Sequence, residues 1–436
     1  MPSVIPLKPD AAAAPAARVR TADGPARLRN LLAAPHRLGF FAGASMLALA
    51  SVWWGVMLVL RFAGVPVPWA LSPSTAHALV MVYSFMPLFF VGFLFTAGPR
   101  WLMLPPVAAP ALLWPVAAML SGWAMAGVGV HAWHGLAASG LALVALGMAW
   151  LSARFAQLVR QSRAPERDHA RIVLAGCMVL VVGLATAALA VARQHDALAR
   201  AAAYAGLWGG AGLVFVAVSH RMIPFFSAAA LPALDAWRPR ALLWILVALV
   251  GVQAPWAAAD ALTYGAGPAV WWASRAVVEL AGGVLLLWLA LRWGLAQSLR
   301  IRLLAMLHMG FFWLGVAFVL AAVSHGLMAG SAGNVSLGLA PLHAFTMGYL
   351  GSTLIAMATR VVSGHGGRAL VADNWAWAIF WTLQLGVLCR VVATLWPPSP
   401  VPFTLLAALC WGMAVCAWAL RYGRWLLKPR VDGQPG

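Results

Sequence analysis

Apolar runs of about twenty residues alternate along the chain with short polar stretches. A helix needs roughly 20 apolar residues to cross about 30 Å of hydrocarbon. Twelve runs qualify, at approximately 38–60, 75–97, 106–128, 135–153, 172–192, 201–220, 241–258, 268–291, 303–325, 338–359, 375–396 and 401–420. The pattern predicts an all-α fold, a polytopic transmembrane helix bundle of about twelve spans over residues 37–425. Residues 1–36, rich in Ala, Pro and Arg, lack the apolar core of a signal peptide and read as a disordered basic tail. Residues 426–436 read as a second short tail.

Composition sharpens this picture. Of 436 residues, 63% are hydrophobic and 9% charged, against roughly 25% charged in soluble domains. A soluble fold is excluded. The excess of 29 Lys and Arg over 10 Asp and Glu sits in short loops, with no basic, aromatic-laced groove for nucleic acid. The loops on the N-terminal tail's side carry 24 Lys and Arg, whereas the opposite side carries Arg61, Arg193 and Arg200. That imbalance places both termini in the cytoplasm. Trp69, Trp101, Trp133, Trp237, Trp293 and Trp425 fall near span ends, as interfacial aromatic belts do.

Several chemistries lack their signatures. Cys177, Cys389, Cys410 and Cys416 lie in apolar runs, with no CxxC or CxxCH spacing for disulfides, zinc or covalent haem. No phosphate-binding loop, HExxH or GxSxG element is present, which leaves nucleophilic hydrolysis without support.

Ionisable groups at membrane depth are costly and so mark candidate sites. The histidines fall into an outer layer of His77, His131, His134, His195, His325 and His343, and an inner layer of His36, His169, His220, His308 and His365. "AHALVM" and "LHAFTM" place His77 and His343 each four residues before a methionine, Met81 and Met347, on one helix face. Imidazole and thioether suit haem iron and copper; a buried hydrogen-bonded histidine packed beside a methionine is the plainer reading. His131 and His134, at i, i+3, could contribute to a copper site or simply form an interfacial turn. His308, about one turn inside its span, is a buried cofactor candidate. Arg275 and Glu279, at i, i+4, could neutralise each other as a structural pin, carry protons, or lend Arg275 to a haem propionate.

One polar knot stands out, "RVVSGHGGR" over 360–368. Its glycines allow a sharp turn and close backbone approach around His365. Arg360 and Arg368 hold the inner interface or meet haem propionates, since guanidinium forks match carboxylates.

The knot and its flank, "LHAFTMGYLGSTLIAMATRVVSGHGGRAL", resemble the late signature of the NnrS family, with Gly366-Gly367 where the family has Thr-Gly. "PHRLGFFAGA" from Pro35, "GFLFTAGPRW" from Gly92, "SHRMIPFFS" from Ser219 and "LHMGFFWLG" from Leu307 are similar to further family blocks, in the same order. The likeness runs from about residue 35 to 425. It implies a multi-span protein of the bacterial inner (plasma) membrane that binds haem and copper and takes part in nitric oxide metabolism and resistance to nitrosative stress. There is one departure. The family's Trp-His-x-His-Glu cluster is reduced here to "SPSTAHALVM", where only the second histidine survives, as His77.

These readings converge on a haem protein, with copper as a second expected metal and the lipid bilayer and nitric oxide or nitrosyl species as partners. His77 and His343 are the expected haem-iron ligands, His131 and His134 the copper candidates. His308, Arg360, His365, Arg368 and Arg275 are the further cofactor contacts. No catalytic constellation is complete, so turnover stays open beside binding and sensing. Two other classes fit the span count. One is a respiratory oxidoreductase related to the haem–copper oxidases, although no His-His pair lies on span 7. The other is a secondary transporter using Arg275 and Glu279.

Overall fold

The structure, a computed structural model, describes residues 24–231, 233–395 and 400–433. All regular elements among them are helical. The order is α1 (Pro35–Phe62), α2 (Pro73–Tyr83), α3 (Met86–Trp101), α4 (Leu113–Ala132), α5 (His134–Gln161) and α6 (Asp168–Ala192). Then come α7 (Asp196–Ala205), α8 (Leu213–Ala230), α9 (Arg240–Gly251), α10 (Gln253–Thr263), α11 (Ala269–Arg292) and α12 (Leu295–Ser298). The chain ends with α13 (Arg302–Gly330), α14 (Ala340–His343), α15 (Ser352–His365), α16 (Asn374–Leu395) and α17 (Pro400–Leu427). Wide-turned π-helical segments join α7 to α8 (Gly206–Gly212) and α14 to α15 (Ala344–Gly351).

Local sequence explains the breaks. Pro35 and Pro73 open their helices where a missing N–H costs nothing. Pro87 cannot donate to the carbonyl four residues back, that of Tyr83, and the chain kinks between α2 and α3. The stranded Tyr83 carbonyl accepts instead from Trp123 Nε1 at 3.2 Å. With no water at that depth such a substitute partner is obligatory.

Neighbouring helices pack in antiparallel succession, α4 on α5, α5 on α6, α11 on α13 and α16 on α17, and α1 closes the bundle against α17 and α3. Between α4 and α5, Gly122 and Gly140 let the backbones touch, since a Cβ on either would sit 2.6 or 2.4 Å from the other's carbonyl oxygen. Small residues at such crossings replace the hydrophobic drive that lipid cannot supply. Leu49, Leu146, Val182, Leu291 and Leu420 stay exposed on the outer surface of the bundle, where lipid would cover them.

Eleven helical stretches among the described residues are long and apolar enough to cross a membrane, one fewer than the twelve expected. The difference is the tenth expected span. It exists as the continuous helical run from Ala340 to His365, but His343, Thr346, Ser352, Thr353, Thr359 and Arg360 make it more polar than the others.

The tail expectation also changes. Residues 1–23 lie outside the described residues. Residues 24–36 are ordered against the C-terminal helix: Arg27 N–H and Asn30 Nδ2 both donate to the Leu427 carbonyl, at 2.9 and 2.7 Å, and Leu31 is buried. Of the expected C-terminal tail, residues up to Leu427 continue α17.

Candidate functional site: histidines at both ends of the tenth span

The outer end of α2 is fixed by Ser72, whose hydroxyl accepts from Thr75 N–H and donates to Asp196 Oδ1 at 2.7 Å. One turn further on, the His77 ring stacks on the Trp54 indole, centroids 4.0 Å apart and planes 24° from parallel. Its Nδ1 is buried and without a hydrogen-bond partner. His343 closes α14, and its Nδ1 lies 2.9 Å from the Leu339 carbonyl. A carbonyl only accepts, so Nδ1 carries the proton and the Nε2 lone pair is free. This is how metal-ligating imidazoles are commonly oriented.

Both His77 and His343 lie within the electrostatic range of Arg390 of α16, and His77 lies within that of His343. Arg390 is half-buried and anchored to Thr394 Oγ1 at 2.7 Å. Both histidines thus share the electrostatic surroundings of Arg390, an arginine that no motif marked. Met81 and Met347 are partly buried against the core.

The other expected residues disperse. Both nitrogens of His131 are used: Nε2 accepts from Trp53 Nε1 at 2.9 Å, so Nδ1 is protonated and donates to the Pro68 carbonyl at 3.0 Å. His134 instead meets the Gln194 amide at 3.0 Å. No cluster of three His, Cys, Asp or Glu able to hold a metal occurs among the described residues. The geometry thus gives His131 and His134 structural partners.

Arg275 does not reach the histidine pair through any contact in the structure. It pairs with Asp260 at 2.6 Å, stands 3.9 Å from Glu279 and lies under Trp256 and Trp271. Glu279 in turn meets His325 Nδ1 at 2.6 Å. The expected pair is part of a four-residue ionic chain across α10, α11 and α13, of which Asp260 and His325 were not foreseen.

At the inner end, His308 is fully buried. Its Nε2 lies 2.8 Å from Ser227 Oγ, while Nδ1 has no hydrogen-bond partner. Arg360 lies over the neighbouring Phe226 ring at 3.9 Å and Arg368 over Trp425 at 4.2 Å, so both knot arginines cap aromatic faces. His365 faces His36 rather than His308. The knot's glycines serve the chain's own C-terminus: Val431 N–H donates to the Gly366 carbonyl at 3.1 Å, and Gly367 has φ +70° against Asp432.

The sequence model described as NnrS protein matches residues 30–430. The chain belongs to the NnrS family. Its NnrS-like blocks, scattered along the sequence, meet in pairs in space. "PHRLGFFAGA" meets "GFLFTAGPRW" at Gly39, whose Cβ would lie 2.3 Å from Gly92 N. It also meets the late signature through His36 and His365, and "SHRMIPFFS" meets "LHMGFFWLG" through Ser227 and His308. The NnrS chain is similar in fold to the cryo-EM structure of a heme-copper terminal oxidase dimer, with TM-score 0.51 and 13% identity over 92% of this chain and 84% of that one. No curated protein matches the chain.

Proposed function

We propose that this NnrS protein is a haem protein of the bacterial inner membrane, with both termini cytoplasmic, that acts in nitric oxide metabolism and resistance to nitrosative stress. The supporting observation is that His77 and His343, from separate helices, both stand within the electrostatic range of Arg390. His343 presents a free Nε2, and His77 keeps a buried Nδ1 that no protein group satisfies. Two such imidazoles would hold haem iron. Bound haem would supply an iron centre with affinity for nitric oxide.

The chain's own residues do the rest. Leu339 fixes the His343 tautomer, Trp54 holds the His77 ring, and Arg390 offers a fork for a propionate. Copper belongs to the proposal through the family alone, and no described residues are assigned to it.

The fold likeness to a heme-copper terminal oxidase favours a second reading, redox turnover at the same histidines. Oxygen or nitric oxide consumption by purified protein with an electron donor distinguishes turnover from binding.

The test of the first reading is an optical spectrum of detergent-purified protein from haem-replete cells, with metal analysis. His77→Ala and His343→Ala should each abolish or shift the Soret band. An unchanged band in both variants removes the assignment.

A further inference from the structure

A cavity of about 610 Å³ opens between the α5–α6 and α8–α9 connections, on the side that the loop charges place in the cytoplasm. That volume lies in the range of small-molecule sites. Its walls include the starts of two helices: Arg167, Asp168 and His169 begin α6, and Pro239 and Arg240 begin α9. Neither start has a side-chain cap; the Leu242 N–H turns back to the Pro239 carbonyl, and the earlier first-turn N–H groups keep their capacity to donate. Two helix dipoles thus present positive ends to one space.

Charge points the same way. Four guanidiniums line the cavity, from Arg167, Arg171, Arg238 and Arg240, against the two carboxylates of Glu166 and Asp168. The carboxylates are already engaged, Asp168 with Arg240 at 2.6 Å and Arg171 at 3.7 Å, and Glu166 with Arg221 at 3.2 Å and Arg238 at 3.8 Å. The lining keeps a surplus of positive charge.

A third observation is independent of both. His169 lines the cavity, is 4% exposed, and its Nδ1 has no hydrogen-bond partner. Glu166 Oε1 comes within 2.8 Å of that nitrogen, outside hydrogen-bond geometry. The other face of the ring is committed. His220 Nε2 lies 3.3 Å from the Pro239 carbonyl and must donate to it, so neutral His220 accepts at Nδ1 from His169 Nε2–H, 3.0 Å away. A proton on His169 Nδ1 makes the ring cationic and pairs it with Glu166 in the cavity wall.

From this geometry we infer that the cavity is a binding site for a phosphate group, carried by an anionic phospholipid headgroup or by a free phosphoester. Two helix starts and surplus guanidiniums around one cavity together match a tetrahedral oxyanion. Trp237 and Leu243 supply an apolar flank for the rest of the molecule. The site shares no residue with the His77–His343 pair.

The test uses the full chain purified in neutral detergent and exchanged into phosphatidylcholine nanodiscs, with or without phosphatidylglycerol. Native mass spectrometry counts retained phosphatidylglycerol, and thermal melting is followed against inorganic phosphate. Retention of about one phosphatidylglycerol per chain, reduced at least tenfold in Arg171→Gln/Arg238→Gln and kept in the double Lys variant, supports the headgroup source. A phosphate-dependent rise in melting temperature without lipid retention, lost in the same Gln variant, supports the free phosphoester. The Gln variant should keep the wild-type Soret band and phosphate-free melting temperature, which shows it is folded. Equal behaviour of folded variant and wild type, or no retention and no phosphate shift in the wild type, overturns the proposal.

Discussion

His36, in the first turn of α1, and His365, in the last turn of α15, lie ring against ring with centroids 4.6 Å apart and planes tilted by 40°. His36 Nδ1 is buried without a partner, and the neighbouring Arg37 is equally buried. Arg37 donates through NH1 to the carbonyls of Leu426 and Lys428, at 3.0 and 2.6 Å. The start of the chain is thereby clasped to its end.

Arg37→Ala should therefore loosen the clasp. Two hydrogen bonds from a buried cation are lost, each worth about 1.5–3 kcal/mol. A lowered melting temperature and faster trypsin cleavage near Lys428 are expected. Wild-type behaviour in both assays would show the contacts carry no net stability.

Gly367 has φ +70°, and a Cβ there would meet Asp432 Cγ at 2.7 Å. Gly367→Ala should destabilise by about 1–3 kcal/mol. Gly364→Ala should be milder, because its Cβ would meet only the flexible end of Leu370 at 3.2 Å. The comparison is read in thermal melts of the two variants, and the reverse order would sink the argument.

If haem binds as proposed, Arg390→Gln should leave His77 and His343 in place but remove a nearby positive charge. A cation favours the reduced, less positive iron, so the haem midpoint potential should fall. With about 59 mV per tenfold change for one electron, a shift of roughly 30–60 mV is expected in a redox titration. An unmoved potential would place Arg390 outside the haem's field.

Glu279 is completely buried between Arg275 and His325. Removing His325 takes away the 2.6 Å partner of Glu279 and leaves Arg275, 3.9 Å away, beside it; the loss of such a buried hydrogen-bond partner costs about 1–3 kcal/mol. His325→Ala should cost that much. Glu279→Gln/His325→Ala should cost much less than the sum of its single variants, as a double-mutant cycle of melting data would show. Additive effects would mean that the two groups do not depend on each other.

Asp373, in the connection before α16, is paired with Arg421 and accepts from Ala376 N–H. The Arg421 hydrogen bond holds its carboxyl below the usual carboxylate value. A depressed folded-state value contributes stability above the unfolded value of about 3.9, and that stability is lost as pH falls through the folded value. Acid melts of wild type should steepen below about pH 4 relative to Asp373→Asn. The difference should stay under about 1 kcal/mol, because the pair is half exposed.

Much of this was legible in the sequence. Long apolar runs gave eleven of the twelve expected spans, because burial in lipid writes itself into twenty consecutive residues. His77 and His343 were marked by a repeated local spacing, and their role as ligands belongs to the proposal. Arg390 was not, since a single arginine in a span has no periodicity to betray its neighbours. Neither was the His36–His365 contact, which joins opposite ends of the chain. The role of Glu166, His169 and Arg238 was hidden for another reason: loop charges were read for orientation, and their sum says nothing of the cavity they line. The tenth expected span, present but more polar than the others, had its own signal, the polar residues that dilute 338–359.

The wide-turned segment Ala344–Gly351 has a geometric consequence for the span that carries His343 and His365. A π turn bonds i to i+5 and winds less per residue than an α turn, so the halves above and below it are out of phase. One helix can then aim its upper imidazole at α2 and α16 and its lower one at α1. Excising a single residue there would rotate the lower half by about 100° and swing His365 away from His36, dismantling one end without touching the other.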